Sequence, residues 1–293
     1  MWHAPTFARR HQQRCTAVHG VSMLVVAARS SGEGMVRIMA EYIQLEPVRT
    51  WYAEAGVGDP LVLLHPGLAD ARAFGPNLPA LADRFRVLTP ERRGHGHSPD
   101  VPGPITFEAM AADTIGFIEQ VVGGPVRLAG CSDGAIVALL VALDRPDLVE
   151  RLACIAGPFH RDGWIPEAID PANQPPEFMA RSYGEVSPDG AEHFPVVVDK
   201  LARAHVEGPT VEVAQLARLE CRTLVMVADD DEVTLEHATA FYRALPQGEF
   251  AVVPGTSHGL LVEKPALCNA VLVEFFDAEP VATYAPIHRR SKR

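Results

Sequence analysis

Short apolar runs alternate along the chain with stretches in which apolar residues recur at helical spacing. The apolar runs predict strands covered on both faces, and the helical spacing predicts the helices that cover them. We predict an opening hairpin over residues 42–55, strands at 61–65, 86–90, 126–129, 149–156, 224–228 and 249–253, and helices at 74–85, 106–122, 135–143 and 264–276. Because strands and helices alternate, the predicted fold class is α/β, with a mostly parallel central sheet and helices on both faces.

The alternation stops over residues 158–220, where the sequence shows no clear core strand. This stretch is rich in proline and bulky side chains, and a long insertion in a compact domain usually has a function. We predict that it forms a small helical cap over the substrate pocket, with surface padding as the alternative. Its candidate pocket side chains are Phe159, His160, Trp164, Phe178, Met179 and Tyr183.

The cap divides the expected core into residues 41–157 and 221–279, and both ends of the chain differ from that core. Residues 1–40 predict a disordered extension, because their first part is basic and lacks acids. A signal peptide is the alternative interpretation, since arginines there precede a short apolar patch. Residues 280–293 end in a basic run and predict a flexible tail.

Composition narrows the classes of partner. The formal charge of −11 argues against nucleic acids and anionic membranes. The five cysteines are scattered, with no C-x-x-C pair or Cys/His cluster, which indicates neither a disulfide framework nor a metal site. We expect reduced thiols and a cytoplasmic location. No apolar run approaches the roughly 20 residues of a membrane span.

The stretch Gly130-Cys131-Ser132-Asp133-Gly134 lies between an apolar strand and an apolar helix. A serine at the apex of such a sharp turn has a strained backbone and a projecting hydroxyl. The flanking glycines allow the strand and helix backbones to approach closely. Ser132 is therefore the candidate nucleophile, whereas Cys131 lies one residue before the apex and is expected to point into the core.

A candidate acid and a candidate base follow in chain order. Three aspartates end the strand at 224–228, and ligands of open α/β sheets bind beyond the carboxyl ends of the strands. We favour Asp231 over Asp229, because Val233 would anchor the loop back on the core; solvated turn residues are the alternative. His258 follows the last strand in a glycine-flanked loop, and the order Ser, Asp, His favours it as the base.

An oxyanion site needs two preorganised N–H donors. We predict the backbone N–H of Asp133 as one donor and that of Gly67 as the other, with Leu68 as an alternative. Pro66 has no N–H and is excluded.

From about Tyr42 to Phe276 the chain resembles the α/β-hydrolase fold family. The segments that carry the resemblance are His65-Pro66-Gly67, Arg93-Gly94-His95-Gly96-His97-Ser98, Gly130-Cys131-Ser132-Asp133-Gly134, the Asp231 loop and Gly255-Thr256-Ser257-His258. Each motif is weak alone, but their shared order and spacing are specific for the fold. The chain departs from the family pattern at Pro66, Glu91 and Ala228.

The resemblance implies that Ser132 attacks, His258 acts as base and then acid, and Asp231 orients the imidazole. It implies that His95 and His97 shape a loop rather than catalyse. The Ser-Asp pair also resembles the valacyclovirase-like branch, in which the aspartate is associated with a substrate amino group. The alternative for Asp133 is that a carboxylate is simply favoured in the first turn of a helix.

We expect hydrolysis of a carboxylic ester or lactone, a small-molecule substrate of medium size and partly aromatic, through an acyl-enzyme, with no metal or organic cofactor. Carbon–carbon bond hydrolysis and perhydrolysis use the same triad and remain alternatives within enzymes. A ligand-binding protein that does not use the triad is the alternative from another class. We expect no nucleic acid or membrane partner, and a homodimer is allowed.

Overall fold

The computed structural model of the protein describes residues 28–29, 35–170 and 172–285. Its main sheet has eight strands: β3 (Ile38–Leu45), β4 (Val48–Ala55), β5 (Pro60–Leu64), β6 (Arg86–Pro90), β7 (Val126–Cys131), β8 (Val149–Ile155), β9 (Arg222–Asp230) and β10 (Gly248–Ser257). The two short strands β1 (Ala28–Arg29) and β2 (Met35–Val36) pair with each other. The main sheet runs in the order β10-β9-β8-β7-β5-β6-β4-β3. Neighbours are parallel from β10 to β6, and β4 is antiparallel to both β6 and β3.

The α-helices follow the predicted alternation: α1 (Leu78–Ala82), α2 (Phe107–Phe117), α3 (Asp133–Asp144), α4 (Glu177–Val186), α5 (Phe194–Glu207), α6 (Val213–Leu216), α7 (Leu235–Ala244), α8 (Leu260–Glu263) and α9 (Pro265–Asp277). The helix predicted over 74–85 is shorter than expected, because a separate 3₁₀ turn over Ala71–Phe74 precedes α1. Asp70 accepts a hydrogen bond from the Arg72 N–H and fixes the start of that turn. The predicted helix over 106–122 forms as α2 followed by a π-helical turn, Ile118–Val122.

Helices cover both faces of the sheet, which confirms the predicted fold class. Strand β5 shows this most simply: Val62 and Leu64 join one buried cluster, whereas Leu61 and Leu63 join the other. The first cluster contains apolar residues of α2, α3 and α7, and the second contains residues of α1 and α9. A continuous apolar strand therefore fits β5, because neither of its faces meets water.

Residues 158–220 add no strand to the main sheet within the described ranges, and they carry α4, α5 and α6. Two groups of polar contacts fasten these helices to the core. Arg72 donates to the Ser182 carbonyl and pairs with Glu185 on α4, both at 2.7 Å. Asp100 accepts a hydrogen bond from Lys200 of α5 at 2.6 Å, and it contacts His193, which directly precedes α5, at 2.9 Å.

The boundaries at the chain ends differ from the prediction where they can be compared. The extension predicted over 1–40 lies mostly outside the described residues, but Ile38 to Ala40 already belong to β3. At the other end, residues 280–285 have no helix or strand, and residues 286–293 lie outside the described part. None of the helices in the described ranges is long and apolar enough to span a bilayer.

Close packing of backbone against backbone fixes Gly130 at the end of β7. A Cβ atom there would lie 2.0 Å from the Gly134 carbonyl oxygen, far inside van der Waals contact. We predict that Gly130→Ala lowers the free energy of unfolding by about 1–3 kcal/mol, the usual cost of overpacking. Thermal unfolding of purified protein measures the effect. Gly124→Ala is the matched control, because a Cβ at Gly124 meets nothing within 4 Å; equal losses in both variants would contradict the interpretation.

Candidate active site

Ser132 occupies the tip of the turn between β7 and α3. Its backbone has φ 56° and ψ −122°, a conformation that L-residues rarely adopt and that is often found at functional sites. Its N–H donates to the Ile155 carbonyl of the neighbouring strand at 2.8 Å. Cys131 is buried at 3% exposure, and burial raises the pKa of its thiol. The serine hydroxyl and not the thiol therefore faces the site.

His258 joins Ser132 to a buried carboxylate. The Nε2 atom of His258 lies 2.9 Å from the Ser132 Oγ, and its Nδ1 lies 2.8 Å from the Asp231 Oδ1. The Asp231 side chain is fully buried and accepts the N–H groups of Ala228 at 2.8 Å and Val233 at 3.3 Å. With a proton on Nδ1 donated to Asp231, Nε2 is free to accept the serine proton. The structure thus brings the three predicted side chains together.

Asp229, the alternative acid, binds the loop rather than the imidazole. Its carboxylate accepts the N–H groups of Gly255 at 2.8 Å and Thr256 at 3.0 Å. These backbone hydrogen bonds lower the pKa of Asp229. Glu263 accepts the N–H of Ser257 at 2.7 Å, so both carboxylates fix the loop that carries His258.

The environment of His258 favours its protonated form overall. Burial alone would lower the pKa of the imidazole, but the hydrogen bond to Asp231 and the nearby charges of Glu232, Asp231 and Asp133 raise it above its ordinary value. Glu232 is half exposed, and its Oε2 lies 3.6 Å from the His258 Nε2. An imidazolium formed during a reaction at Ser132 would therefore be stabilised by two carboxylates.

Arg92 holds the turn that follows β5. It donates to the Pro66 carbonyl at 3.0 Å, and the His65 imidazole accepts the Arg92 N–H at 3.1 Å. In a trans peptide the C=O and the following N–H point in opposite directions, so the Gly67 N–H points away from Arg92. Pro66 therefore does not prevent the Gly67 N–H from serving as a donor in this turn. Leu68 next to it has φ 53°, another conformation that side chains disfavour.

Asp133 begins α3 and is buried at 1% exposure. Its Oδ1 lies 2.7 Å from the Nε2 of His205 on the cap helix α5, and its Oδ2 has no hydrogen-bond partner among the described residues. Burial would raise the pKa of Asp133, but the charges of His205 and Arg92 and the hydrogen bond from His205 lower it to about 2. The carboxylate is therefore ionised and paired with His205.

The six predicted pocket side chains have different surroundings. The Trp164 ring lies edge-on to His258, with centroids 5.9 Å apart, and edge-on to His205 at 6.0 Å. Phe159 corrects the prediction, because it is buried in the core and stacks on His237 at 3.9 Å. Phe178 corrects it too, because it is exposed on α4. The other three lie mainly within the cap or at its edge. His160 contacts Asp162, Met179 is partly buried, and Tyr183 packs beside Phe194.

His95 and His97 do not contact the Ser132–His258–Asp231 chain in any hydrogen bond of the described residues. His95 is buried, and burial together with Arg92 lowers its pKa to about 4. The buried carboxylate of Glu91 accepts the backbone N–H of His97 and also contacts the Nδ1 of His97. Glu91 therefore fixes the position of His97. These contacts shape the loop after β6. The described residues contain no group of three or more His, Cys, Asp or Glu side chains placed to hold a metal ion.

Sequence reasoning missed three titratable side chains around the site: Arg92, His205 and Glu232. Glu232 follows Asp231 directly and was available as a neighbour of the predicted acid. Arg92 and His205 had no local signal, because their partners lie 26 and 72 residues away along the chain.

A sequence profile described as the alpha/beta hydrolase family matches residues 61–271. The chain belongs to the alpha/beta hydrolase family. This family membership, together with its curated relatives, makes the protein a hydrolase, and it confirms the resemblance inferred from the motifs.

Two curated relatives and one solved structure illustrate what this alpha/beta hydrolase is similar to. It is 25% identical over 266 residues to (E)-2-((N-methylformamido)methylene)succinate hydrolase of Acinetobacter baylyi, covering 83% of this chain and 100% of that protein. It is 26% identical over 246 residues to a protein of Caulobacter segnis provisionally named carbamate hydrolase RutD, covering 75% and 92%. The enol-lactonase from Burkholderia xenovorans superposes with a TM-score of 0.65 at 19% identity, covering 81% and 100%, and supports the shared fold.

The contact between His258 and Asp231 makes a prediction about titration. We predict that Asp231→Asn lowers the pKa of His258, because burial remains while one anion and its strong hydrogen bond are lost. An NMR titration of the imidazole in both proteins measures the change. Asp230→Asn is the control, since that aspartate ends β9 without a hydrogen bond to the ring among those found here; an unchanged pKa in Asp231→Asn would refute the assignment.

Proposed function

We propose that this alpha/beta hydrolase cleaves carboxylic esters or lactones by acyl transfer to Ser132. The observation that carries the proposal is the chain of hydrogen bonds from Ser132 through His258 to the buried Asp231. A serine hydroxyl is a weak nucleophile at neutral pH, and an adjacent imidazole held by a carboxylate activates it. Here both contacts of the imidazole are shorter than 3 Å.

The steps follow from the positions of these groups. Ser132 Oγ attacks the acyl carbon while its proton passes to the His258 Nε2, and the carbonyl π electrons move onto oxygen. The N–H groups of Asp133 and Gly67 are the proposed donors to that oxyanion, with Leu68 as the neighbouring alternative. The imidazolium then gives its proton to the leaving alkoxide, and the acyl-enzyme forms. A water molecule repeats the sequence, with His258 as base, and releases the acid.

Cleavage of an acyl C–N bond is the second candidate. The name of the Acinetobacter relative specifies an N-formyl compound, and that of the Caulobacter relative a carbamate. An amine leaves only after it receives a proton, so this chemistry depends more strongly on the imidazolium than ester cleavage does. The two carboxylates near His258 stabilise that imidazolium. Parallel assays with matched ester, carbamate and formamide substrates, and with a vinylogous diketone for carbon–carbon cleavage, separate these bond classes.

We predict that Ser132→Ala abolishes covalent labelling by a fluorophosphonate probe and lowers turnover of short aryl esters by at least about 10⁴-fold. Loss of the Oγ removes the only atom that the proposal allows to form the acyl-enzyme. Mass spectrometry of labelled peptides and steady-state kinetics give the two readouts.

Cys131→Ala is the control for the neighbouring nucleophile, because its buried thiol is expected to take no part. Labelling that persists in Ser132→Ala, or that disappears in Cys131→Ala with its fold intact, would count against the proposal. Wild-type protein that takes no label would favour the ligand-binding alternative.

The cellular location, the partners and the oligomeric state remain part of the proposal. Cys131, Cys154, Cys221 and Cys268 are free thiols, which supports the proposed cytoplasmic location. Three further points also stay predictions: a small-molecule ester or lactone as the substrate, the lack of nucleic acid and membrane partners, and a homodimer.

A further inference from the structure

We propose that His205 is a positioning residue that compensates the buried Asp133 carboxylate beside the oxyanion site, so that the cap helix α5 completes the electrostatics of the reaction. The inference rests on the proposed acyl transfer, because it concerns the charge that develops on the substrate oxygen. It gives the Ser-Asp turn a role that is neither binding of a substrate amino group nor a simple helix-dipole effect.

The geometry places a full negative charge next to both proposed oxyanion donors. The Asp133 N–H is one of these donors, and its own side chain carries the charge. The unpartnered Oδ2 lies against Gly67, the other donor: a Cβ built on Gly67 would be 2.2 Å from it. A carboxylate there would repel a developing oxyanion, and burial leaves little water to screen that repulsion.

His205 supplies the compensation from the cap. Its Nε2 lies 2.7 Å from the Asp133 Oδ1, within the range of a charge-assisted hydrogen bond. Burial would lower the pKa of His205, but the charges of Asp133 and Glu232 and the hydrogen bond to Asp133 raise it above its ordinary value. The aromatic rings of Phe107 on α2 and Trp164 flank the imidazole at 5.7 and 6.0 Å.

Other charged groups near the pair do not replace His205. Arg92 is a nearby cation, but its hydrogen bonds go to His65, Pro66 and their turn. Burial, Arg92 and the neighbouring groups lower the pKa of His95 to about 4, so that imidazole is neutral at physiological pH. Glu232 adds a second negative charge that also raises the pKa of His205, so it favours the cation rather than replacing it.

A role as a simple cap fastener explains the pair less well. The contacts of Arg72 with Ser182 and Glu185, and of Asp100 with His193 and Lys200, already fasten α4 and α5 to the core. A surface pair would be enough for further fastening. Burial of a carboxylate costs free energy unless the carboxylate is paired. The position of Asp133 at the oxyanion turn therefore indicates a role in that turn.

A double-mutant cycle tests the proposal. The variants are His205→Gln, Asp133→Asn and the combination of both, and the readouts are the rate of fluorophosphonate labelling, ester turnover and thermal unfolding. His205→Gln is expected to slow labelling by about 10- to 100-fold, because it leaves the carboxylate uncompensated beside the proposed oxyanion donors. Adding Asp133→Asn to His205→Gln is expected to recover most of that loss, because it removes the charge.

His193→Gln is the matched control for loosening of the cap. It breaks a second His–Asp contact at the start of α5, but Asp100 keeps its partner Lys200. We expect labelling within about threefold of wild type, because the side-chain hydrogen bond of His193 goes to Asp100 and not to the Ser132–His258–Asp231 chain. A loss as large as that of His205→Gln would overturn the proposal in favour of simple fastening.

The pH profile provides a readout that does not need His205→Gln to fold. Deprotonation of His205 leaves the carboxylate uncompensated, so it should lower the wild-type labelling rate as the pH rises through the raised pKa of His205. His258 must lose its proton to act as base, and this second titration contributes a rise with pH. Asp133→Asn is expected to remove the fall and keep the rise; a fall that persists in this variant overturns the proposal.

The outcomes separate this inference from the proposed function. Wild-type protein that takes no label at Ser132 overturns both. Labelling of wild type without recovery in the double variant overturns the role of His205 and leaves acyl transfer intact. If His205→Gln does not fold, comparison of Asp133→Asn with the double variant decides: a loss of more than about threefold on removing His205 in that background contradicts compensation.

Discussion

The backbones of β7 and α3 approach too closely at Gly130 and Gly134 to admit any side chain. A Cβ on Gly134 would lie 2.1 Å from the Leu64 carbonyl oxygen of the adjacent strand β5. The chain between these glycines must therefore reverse within very few residues, and Ser132 takes the positive φ that the reversal requires. Its hydroxyl projects at the carboxyl edge of the sheet because the packing beneath leaves it no other place. The position of the proposed nucleophile is thus a consequence of strand spacing.

The same edge concentrates charge that the rest of the fold has to balance. Glu91, Asp133 and Asp231 are carboxylates with almost no exposure, and each is satisfied in a different way. Glu91 binds backbone N–H groups and His97 in a loop, and Asp231 binds backbone N–H groups and His258. Within the described part of the chain, one oxygen of Asp133 has no partner and the other pairs with His205 from the cap. Of the three histidines in these pairs, only His258 at Asp231 reaches Ser132 Oγ.

Local patterns were sufficient to predict the strands and the residues of the Ser132–His258–Asp231 chain. Apolar runs that are covered on both faces stand out in a sequence, and the strand ends give the positions of the polar side chains that follow. The choice of Asp231 over Asp229 depended on the anchoring role of Val233, which is buried as expected and donates its N–H to Asp231. The membership in the hydrolase family followed from motif order, because five weak motifs constrain one another.

What the sequence could not provide was the packing of the cap. Phe159 and Phe178 are both bulky and both belong to the cap region, yet one lies in the core and the other faces solvent. That difference depends on contacts with His237 and Phe241, which come from a distant part of the chain. The partner of Asp133 was hidden for the same reason. Long-range pairs carry no local periodicity, so the sequence identifies the reactive groups but not the charges that surround them.

The bond that is cleaved depends on these surrounding charges more than on the triad itself. Ester and amide cleavage share the attack by serine, and they differ in how much the departing group needs a proton from His258. Glu232 and Asp231 flank the imidazole at Nε2 and Nδ1, so the site holds that proton strongly while the oxyanion turn must still tolerate a negative charge nearby. Stabilising an imidazolium with added anions and stabilising an oxyanion are opposing demands. Two cations resolve this conflict by separating the two charges in space. One is supplied by the cap at the Asp133 side, and the other is Arg92 behind the turn.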